Sequence, residues 1–185
     1  MQYLNGDLEL SDLEKMDSQF CNVASAFHGK PVKTPFGPGC TFARLISTST
    51  SCKKDDDSGI FSSPWWQKET AFYQLLSDFC NVDPISVFRG KLAITPSMSP
   101  SLDGLVYVTL TRGVYGWVGR ARHQEDKNIN LCYIGGGEQV FLPHLDAMEK
   151  YPPYIRLKST LSSNFAYISR YNWTNELKKA SVSSA

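Results

Sequence analysis

The stretch Leu105-Val-Tyr-Val-Thr-Leu-Thr-Arg112 is the clearest strand in the sequence, because most of its positions carry β-branched or aromatic residues. Shorter segments of similar character lie on both sides of it. They are residues 40–47, 85–88, 92–94, 115–118, 131–134 and 138–142, with one or two more after residue 154. Between them, residues 29–39 hold three prolines and three glycines, which predicts a loop or a domain boundary.

Two helices are predicted before the strand-rich half. Residues 7–19 have apolar residues close to helical spacing with acidic residues between them, which indicates a short amphipathic helix. A second helix is expected to begin at Ser63-Pro64, since serine caps helices and proline is tolerated in the first turn. Its apolar stripe is Ala71, Phe72, Leu75, Leu76 and Phe79. The pattern predicts an α+β protein.

Composition limits the class of protein. The chain has 185 residues, 42% of them hydrophobic, and a formal net charge of +1. This length and apolar fraction fit one domain with a core and exclude a disordered chain. The near-zero net charge removes a global attraction to nucleic acid or anionic membranes. No apolar stretch approaches the roughly 20 residues of a transmembrane helix, and the acidic N-terminus does not resemble a Sec signal peptide.

Cysteine and histidine are too dispersed to predict a metal site. The five cysteines form no CxxC pair, and the three histidines form no HxxxH or HExxH pair. Dispersed free thiols fit a reducing compartment at the site of action. We therefore expect no metal.

Arg44 is a charged residue inside the predicted strand 40–47. A buried arginine must meet a carboxylate or expose its tip in a cleft, and its planar fork suits a diphosphate. A structural ion pair or an edge position is the alternative interpretation.

Two adjacent tryptophans, Trp65 and Trp66, follow the serines Ser62 and Ser63. Both cannot face the core at a helix start, so we expect one to line a groove and stack on a flat ring. Free N–H groups at a helix start would also favour an anionic ligand. The alternative is a capping serine followed by two packing tryptophans.

The segment Gly135-Gly-Gly-Glu-Gln-Val-Phe-Leu-Pro143 runs from a glycine turn into a strand. Three glycines allow a backbone path that side chains would block. Neighbours on a strand alternate faces, so only one of Glu138 and Gln139 can point into a given cleft. A carboxylate there could stabilise a ribosyl cation by holding a sugar hydroxyl, and an amide could hold the same hydroxyl without charge. A glycine turn with polar residues at the strand start is the alternative.

Two further basic features could meet a phosphate. Arg112, Arg120 and Arg122 with His123 form a local cluster, for which a solvated face is the alternative. Arg89 could bring a second arginine to the cleft.

Four segments of the chain, taken in order, resemble segments of bacterial toxin domains with the ADP-ribosyltransferase fold. The resemblance rests on four segments and spans about residues 30–145. The segments are Gly39-Cys-Thr-Phe-Ala-Arg-Leu45, Ser62-Ser-Pro-Trp-Trp66, Tyr115-Gly-Trp-Val-Gly-Arg-Ala-Arg-His-Gln124 and Gly135-Gly-Gly-Glu-Gln-Val-Phe-Leu-Pro143.

The resemblance implies a fold and a site. The fold is an ADP-ribosyltransferase-like split β-sandwich with N-terminal helices, in which residues 1–28 are a helical segment or linker and residues 29–185 bind NAD and carry catalysis. Arg44 would hold the phosphate or ribose of NAD, with Arg89 as the competing choice. Ser62 or Ser63 would support the nicotinamide ribose, and Trp65 or Trp66 would sandwich the nicotinamide. Glu138 would take the place of the family's catalytic glutamate, or Gln139 that of the glutamine in the related glycohydrolases.

The implied function is that of a bacterial toxin or effector. It would be a mono-ADP-ribosyltransferase, a glycosyltransferase that uses NAD as substrate without a metal and modifies a target protein or nucleic acid. The alternatives are an NAD(P) glycohydrolase toxin and a non-enzymatic binding or immunity module. Such toxins are secreted without a Sec signal, act in the target-cell cytoplasm and are neutralised by a cognate immunity protein. No membrane partner is expected.

Overall fold

The computed structural model describes residues 3–16, 23–47, 63–78, 82–102, 104–143 and 155–159. The strands are β1 (Phe27–Phe36), β2 (Thr41–Ile46), β3 (Trp65–Lys68), β4 (Gly104–Leu110), β5 (Val114–Ala121), β6 (Gln124–Asp126), β7 (Leu131–Tyr133), β8 (Glu138–Phe141) and β9 (Ile155–Ser159). The helices are α1 (Leu10–Met16), α2 (Glu69–Asp78) and α3 (Pro84–Leu92), with a 3₁₀ turn at Ala24–Ala26. The predicted α+β class is confirmed. None of the described helices is long and apolar enough to cross a membrane.

Seven strands form one sheet in the order β1-β5-β8-β3-β2-β4-β9, and every named strand pair is antiparallel. The short strand β3 divides its pairing between two neighbours. Trp65 and Trp66 pair with β8, whereas Gln67 and Lys68 pair with β2. This strand therefore joins two strand groups, β1-β5-β8 and β2-β4-β9.

The first strand occupies residues 29–36 of the segment 29–39 that is predicted as a loop or a domain boundary, so the loop prediction holds only for residues 37–39. Pro31 and Pro35 both belong to β1. Among the described strands it pairs with β5 alone, and its register is irregular between His28 and Val32. Proline, which donates no hydrogen bond, is tolerated at sheet edges and bulges.

Two predictions about the middle of the chain are also wrong. The segment after Ser63-Pro64 is the strand β3, and the helix begins only at Glu69. Residues 85–88 and 92–94, predicted as strand pieces, fall in α3 and the turn that ends it. Asp83 caps this helix by accepting a hydrogen bond from the Ser86 amide at 3.0 Å, and Pro84 occupies its first turn.

Buried side chains fill both sides of the sheet. Helices α2 and α3 pack on β2 and β4 through Phe72, which stacks on Phe88 with ring centroids 4.7 Å apart. A second cluster gathers Phe27, Trp117 and Phe141, with Trp65 packed against it.

The N-terminal segment contacts the same sheet. The Leu4 amide donates to the Gly113 carbonyl at 3.0 Å, and Asn5 Nδ2 donates to the Pro143 carbonyl at 3.2 Å. The division predicted after residue 28 falls inside β1.

Candidate functional site

A cavity of about 470 Å³ lies beside β3 and draws its walls from both strand groups. Residues of β2 and β3 form one part of the wall, Gln139 of β8 and Ala26 another, and the segment after α3 a third. This volume is within the range of small-molecule sites, about 300–1,000 Å³.

Five of the predicted site residues line this cavity together. They are Arg44, Ser63, Trp65, Trp66 and Gln139. Glu138 and Arg89 are not part of its lining, and Ser62 lies outside the described residues. Three segments far apart in the chain therefore share one cavity.

Arg44 links β2 to the residue that precedes β3. Its Nη1 donates a hydrogen bond to the Ser63 carbonyl oxygen at 2.6 Å, and its Cζ lies 5.1 Å from the centre of the Trp66 ring. The guanidinium is thus held over an aromatic face in the cavity wall. Because its neighbours Ala43 and Leu45 are buried against the helices, strand alternation turns Arg44 to the other face.

Both tryptophans line the cavity, and both also pack. Trp66 is buried in the core beneath Arg44. Trp65 is half-buried, with its ring centroid 5.3 Å from that of Phe27 and 5.0 Å from that of Phe141. The two side chains leave β3 on opposite faces, as adjacent strand residues must.

Gln139 is the member of the Glu138–Gln139 pair that reaches the cavity. It is only 8% exposed, and its Nε2 donates to the Ala26 carbonyl at 3.2 Å. Because the amide nitrogen is engaged in this way, the oxygen Oε1 is the end available to a ligand donor. Glu138 turns to the other face, where its Oε1 lies 3.5 Å from Lys68 Nζ.

Gln67 is a cavity residue that the sequence analysis missed. It sits on β3 where that strand leaves β8 and begins to pair with β2. Its Nε2 donates to the Glu138 carbonyl at 3.0 Å. The Gln67 side chain therefore bonds to β8 one residue after the last backbone pair between β3 and β8, which is Trp66–Val140. The sequence feature that could have identified Gln67 is a polar amide directly after the two tryptophans Trp65 and Trp66.

Arg89 supports the cavity wall from behind. It lies in α3 and donates to the carbonyls of Ile94, Ser99 and Pro100 at 3.2, 2.9 and 3.1 Å. Ile94 and Ser99 line the cavity, so Arg89 holds the segment that forms this wall.

Asp126 anchors the same segment from its other side. Its Oδ1 accepts from Ser97 Oγ at 2.8 Å, and its Oδ2 accepts from the Ser97 amide at 3.1 Å. The amide of Asn128 adds a third donor at 3.1 Å. Burial opposes ionisation, but these hydrogen bonds outweigh it, and the pKa of Asp126 lies below the ordinary value of 3.8.

The described lining of the cavity is cationic. It contains the arginines Arg44 and Arg122 and no aspartate or glutamate. Trp65, Trp66 and two buried glutamines, Gln67 and Gln139, also line the cavity. Such a site suits an anionic ligand that carries a flat ring and hydroxyl groups. Within the described ranges, no group of three or more His, Cys, Asp or Glu side chains could hold a metal ion.

The chain was compared with known families, curated proteins and solved structures. No family model matches the chain, and no curated protein matches it. A protein called Tne2, solved in complex with Tni2, is similar to this chain with a TM-score of 0.46 and 14% sequence identity. The similar region covers 72% of this chain and 92% of that one.

Proposed function

We propose that this chain cleaves the bond between nicotinamide and ribose in NAD and is the active domain of a bacterial toxin or effector. The observation that carries the proposal is the convergence of Arg44, Trp65, Trp66 and Gln139 on one cavity whose described lining holds no carboxylate. These four residues belong to the segments that, by the resemblance, would bind NAD. The division of β3 between two strand groups supports the split β-sandwich of the ADP-ribosyltransferase type.

In the proposed mechanism, each wall serves one part of the dinucleotide. The Arg44 guanidinium offsets the charge of the diphosphate. Trp65 borders the nicotinamide, whose flat ring can stack on the indole. Gln139 Oε1 accepts a hydrogen bond from a hydroxyl of the nicotinamide ribose. Ser63 lies beside Arg44, and its hydroxyl is a further donor for that sugar.

Nicotinamide leaves with the electron pair of the glycosidic bond, and positive charge develops on the ribose carbon. The oxygen dipole of Gln139 favours that charge without forming an ion pair. The half-buried Trp65 ring keeps bulk water from the cation until a single nucleophile is admitted.

We propose water as that nucleophile, which yields ADP-ribose, nicotinamide and a proton. The supporting observation is that the amide Gln139, and not the carboxylate Glu138, lines the cavity. No described carboxylate stands there to take a proton from a macromolecular acceptor. ADP-ribosyl transfer is the second candidate, because the rim residues Met98 and Arg122 are exposed and within reach of a protein or nucleic-acid acceptor.

The biological setting follows the same proposal. Loss of NAD would harm a target cell, so the domain would act in that cell's cytoplasm after delivery from the producing bacterium. The producer would need an immunity protein to survive its own toxin.

The test is to incubate the purified chain with NAD and to measure free nicotinamide, with and without target-cell lysate. Hydrolysis predicts release without lysate. Transfer predicts ADP-ribose label on a macromolecule that depends on lysate. Gln139→Ala and Arg44→Ala should suppress release, whereas Glu138→Gln, which alters a side chain outside the cavity, should not. If no NAD is lost in either condition, the enzymatic proposal fails and the non-enzymatic binding module takes its place.

A further inference from the structure

A second arginine, Arg122, lines the cavity from a different strand group than Arg44. We propose that Arg122 binds the diphosphate of the dinucleotide together with Arg44. This inference rests on the proposed function for the orientation of the ligand. It assigns a role to a residue of the basic cluster Arg112, Arg120, Arg122 and His123, for which the sequence analysis also gave a solvated face as the interpretation.

The backbone places Arg122 next to Gln139. The Arg122 amide donates to the Ala26 carbonyl at 2.9 Å, and Gln139 Nε2 donates to the same oxygen at 3.2 Å. The Ala26 carbonyl therefore positions the Arg122 backbone, from which its side chain extends, and also orients the Gln139 amide. A ligand group close to Gln139 is within reach of the long Arg122 side chain.

Arg122 differs from Arg120 and Arg89 in its surroundings. Arg120 donates to the Gly136 carbonyl at 3.0 Å, and Arg89 is engaged by three carbonyls. Over the described ranges, no side-chain hydrogen bond or ion pair engages Arg122, and its side chain is exposed at the cavity rim. Its five N–H donors are thus available to an anion.

Because Arg122 lies beside Gln139, its position determines which phosphate group of the ligand it can bind. If Gln139 contacts the nicotinamide ribose, the nearest anionic group along the ligand is the diphosphate, which is attached to that ribose through its 5′ carbon. The 2′-phosphate that distinguishes NADP from NAD is attached to the other ribose, at the far end of the molecule. Two guanidinium groups on one diphosphate match its two charges and allow bidentate hydrogen bonds.

The test measures binding, so that it does not depend on cleavage. The intact chain is titrated calorimetrically with ADP and, separately, with 2′,5′-ADP and with adenosine. We expect Arg122→Ala and Arg122→Gln to raise the Kd for ADP about 10-fold or more and to leave that for adenosine unchanged. Lys127→Ala is the matched control, because it removes an exposed positive charge that is not part of the cavity lining. It should change the Kd for ADP by less than about 2-fold.

Three results would overturn the assignment. They are an Arg122→Ala variant that binds ADP like the Lys127→Ala variant, a loss confined to 2′,5′-ADP, and a parent chain that binds ADP no better than adenosine. Nicotinamide release by the parent reports separately on the proposed function. A chain that binds ADP through Arg122 but releases no nicotinamide would refute cleavage and keep this subsite.

Discussion

The side-chain amide of Gln139 and the backbone carbonyl of Ala26 are joined by a 3.2 Å hydrogen bond that connects β8 to the 3₁₀ turn before β1. The contact determines which end of the amide faces the cavity. A carboxylate at residue 139 would have no proton for this carbonyl at neutral pH, so the local structure is matched to an amide.

The first prediction is that Gln139→Ala lowers nicotinamide release by about 100-fold or more, because it removes the oxygen proposed to favour positive charge on the ribose. Gln139→Glu should also be impaired at pH 8. Against the attraction of the Arg122 guanidinium at the cavity rim, repulsion from the Ala26 carbonyl and burial favour the protonated form of the introduced carboxyl. Its protonated form can donate to that carbonyl, so activity relative to the parent should recover as the pH falls toward 5. The measurement is a pH profile of both variants.

Glu138→Gln serves as the control for this series. Its side chain lies on the opposite face of β8 beside Lys68. Activity within about 2-fold of the parent is expected, since a solvent-accessible ion pair such as Glu138–Lys68 contributes little to the free energy of unfolding. A variant series in which Glu138→Gln is inactive and Gln139→Ala is active would contradict the proposed site.

The second prediction concerns Arg44, which has both a binding role and a structural one. Arg44→Lys keeps the positive charge but loses the planar group that bonds the Ser63 carbonyl and covers the Trp66 ring. We expect it to lower the free energy of unfolding by about 1–3 kcal/mol and to weaken ADP binding. Chemical denaturation and calorimetric titration measure the two effects separately.

If Arg44→Lys retained full stability and full ADP affinity, the bond to Ser63 would not contribute and the diphosphate role of Arg44 would be refuted. Arg122→Lys is the useful comparison, because Arg122 has an exposed side chain and should affect binding alone.

The sequence was most informative where one local pattern determines the outcome. Strands β2 and β4 are as predicted, because their β-branched and aromatic residues occupy the middle of the sheet with partners on both sides. Alternation also predicted that only one of Glu138 and Gln139 could face a cleft. It could not say which one, because that depends on the side of the sheet on which the turn carrying Ala26 packs.

The remaining errors arise where tertiary position overrides local preference. The prolines of β1 are compatible with a strand because β1 lies at the edge of the sheet that the described strands form, which no local pattern reveals. The segment 85–88 is too short for its apolar run to separate strand from helix. The N-cap Asp83 and the following proline were the better signals there. Gln67 was missed because its hydrogen bond is to the Glu138 carbonyl, which is 71 residues away in the chain.

The third prediction uses the acid titration of Asp126. Its pKa is lower in the folded protein than the ordinary 3.8, so ionisation of this carboxyl favours the folded state. That contribution is complete above about pH 4 and is lost as the pH falls through the folded-state pKa. The parent should therefore exceed Asp126→Asn in free energy of unfolding at pH 6, and the difference should shrink below pH 4.

Denaturant titrations of both proteins at several pH values measure this difference. Asp78→Asn is a suitable control, because Asp78 is an exposed carboxylate at the end of α2, away from the cavity wall. A difference between parent and Asp126→Asn that stayed constant from pH 6 to pH 3 would show that ionisation of Asp126 does not stabilise the fold.

The fourth prediction concerns two glycines that precede β8. Both have positive φ, +73° at Gly135 and +89° at Gly136, so alanine at either position pays a backbone penalty of about 1–2 kcal/mol. A Cβ at Gly136 would meet nothing within 4 Å, whereas at Gly135 it would collide with the carbonyl oxygen of Ala121. We therefore expect Gly135→Ala to cost about 2–5 kcal/mol and Gly136→Ala only the backbone penalty.

The same pair of variants tests how the glycine turn supports the site. The Gly135 and Gly136 amides donate at 2.8 Å to the carbonyls of Gly90 and Ala121, which ties the start of β8 to α3 and β5. Because relief of the collision at Gly135 must move this backbone, Gln139 should shift away from Ala26 and nicotinamide release should fall. Gly136→Ala, with open space around its Cβ, should keep activity near that of the parent. Equal losses of stability and activity in the two variants would show that backbone conformation alone, and not the approach of Ala121, requires glycine before this strand.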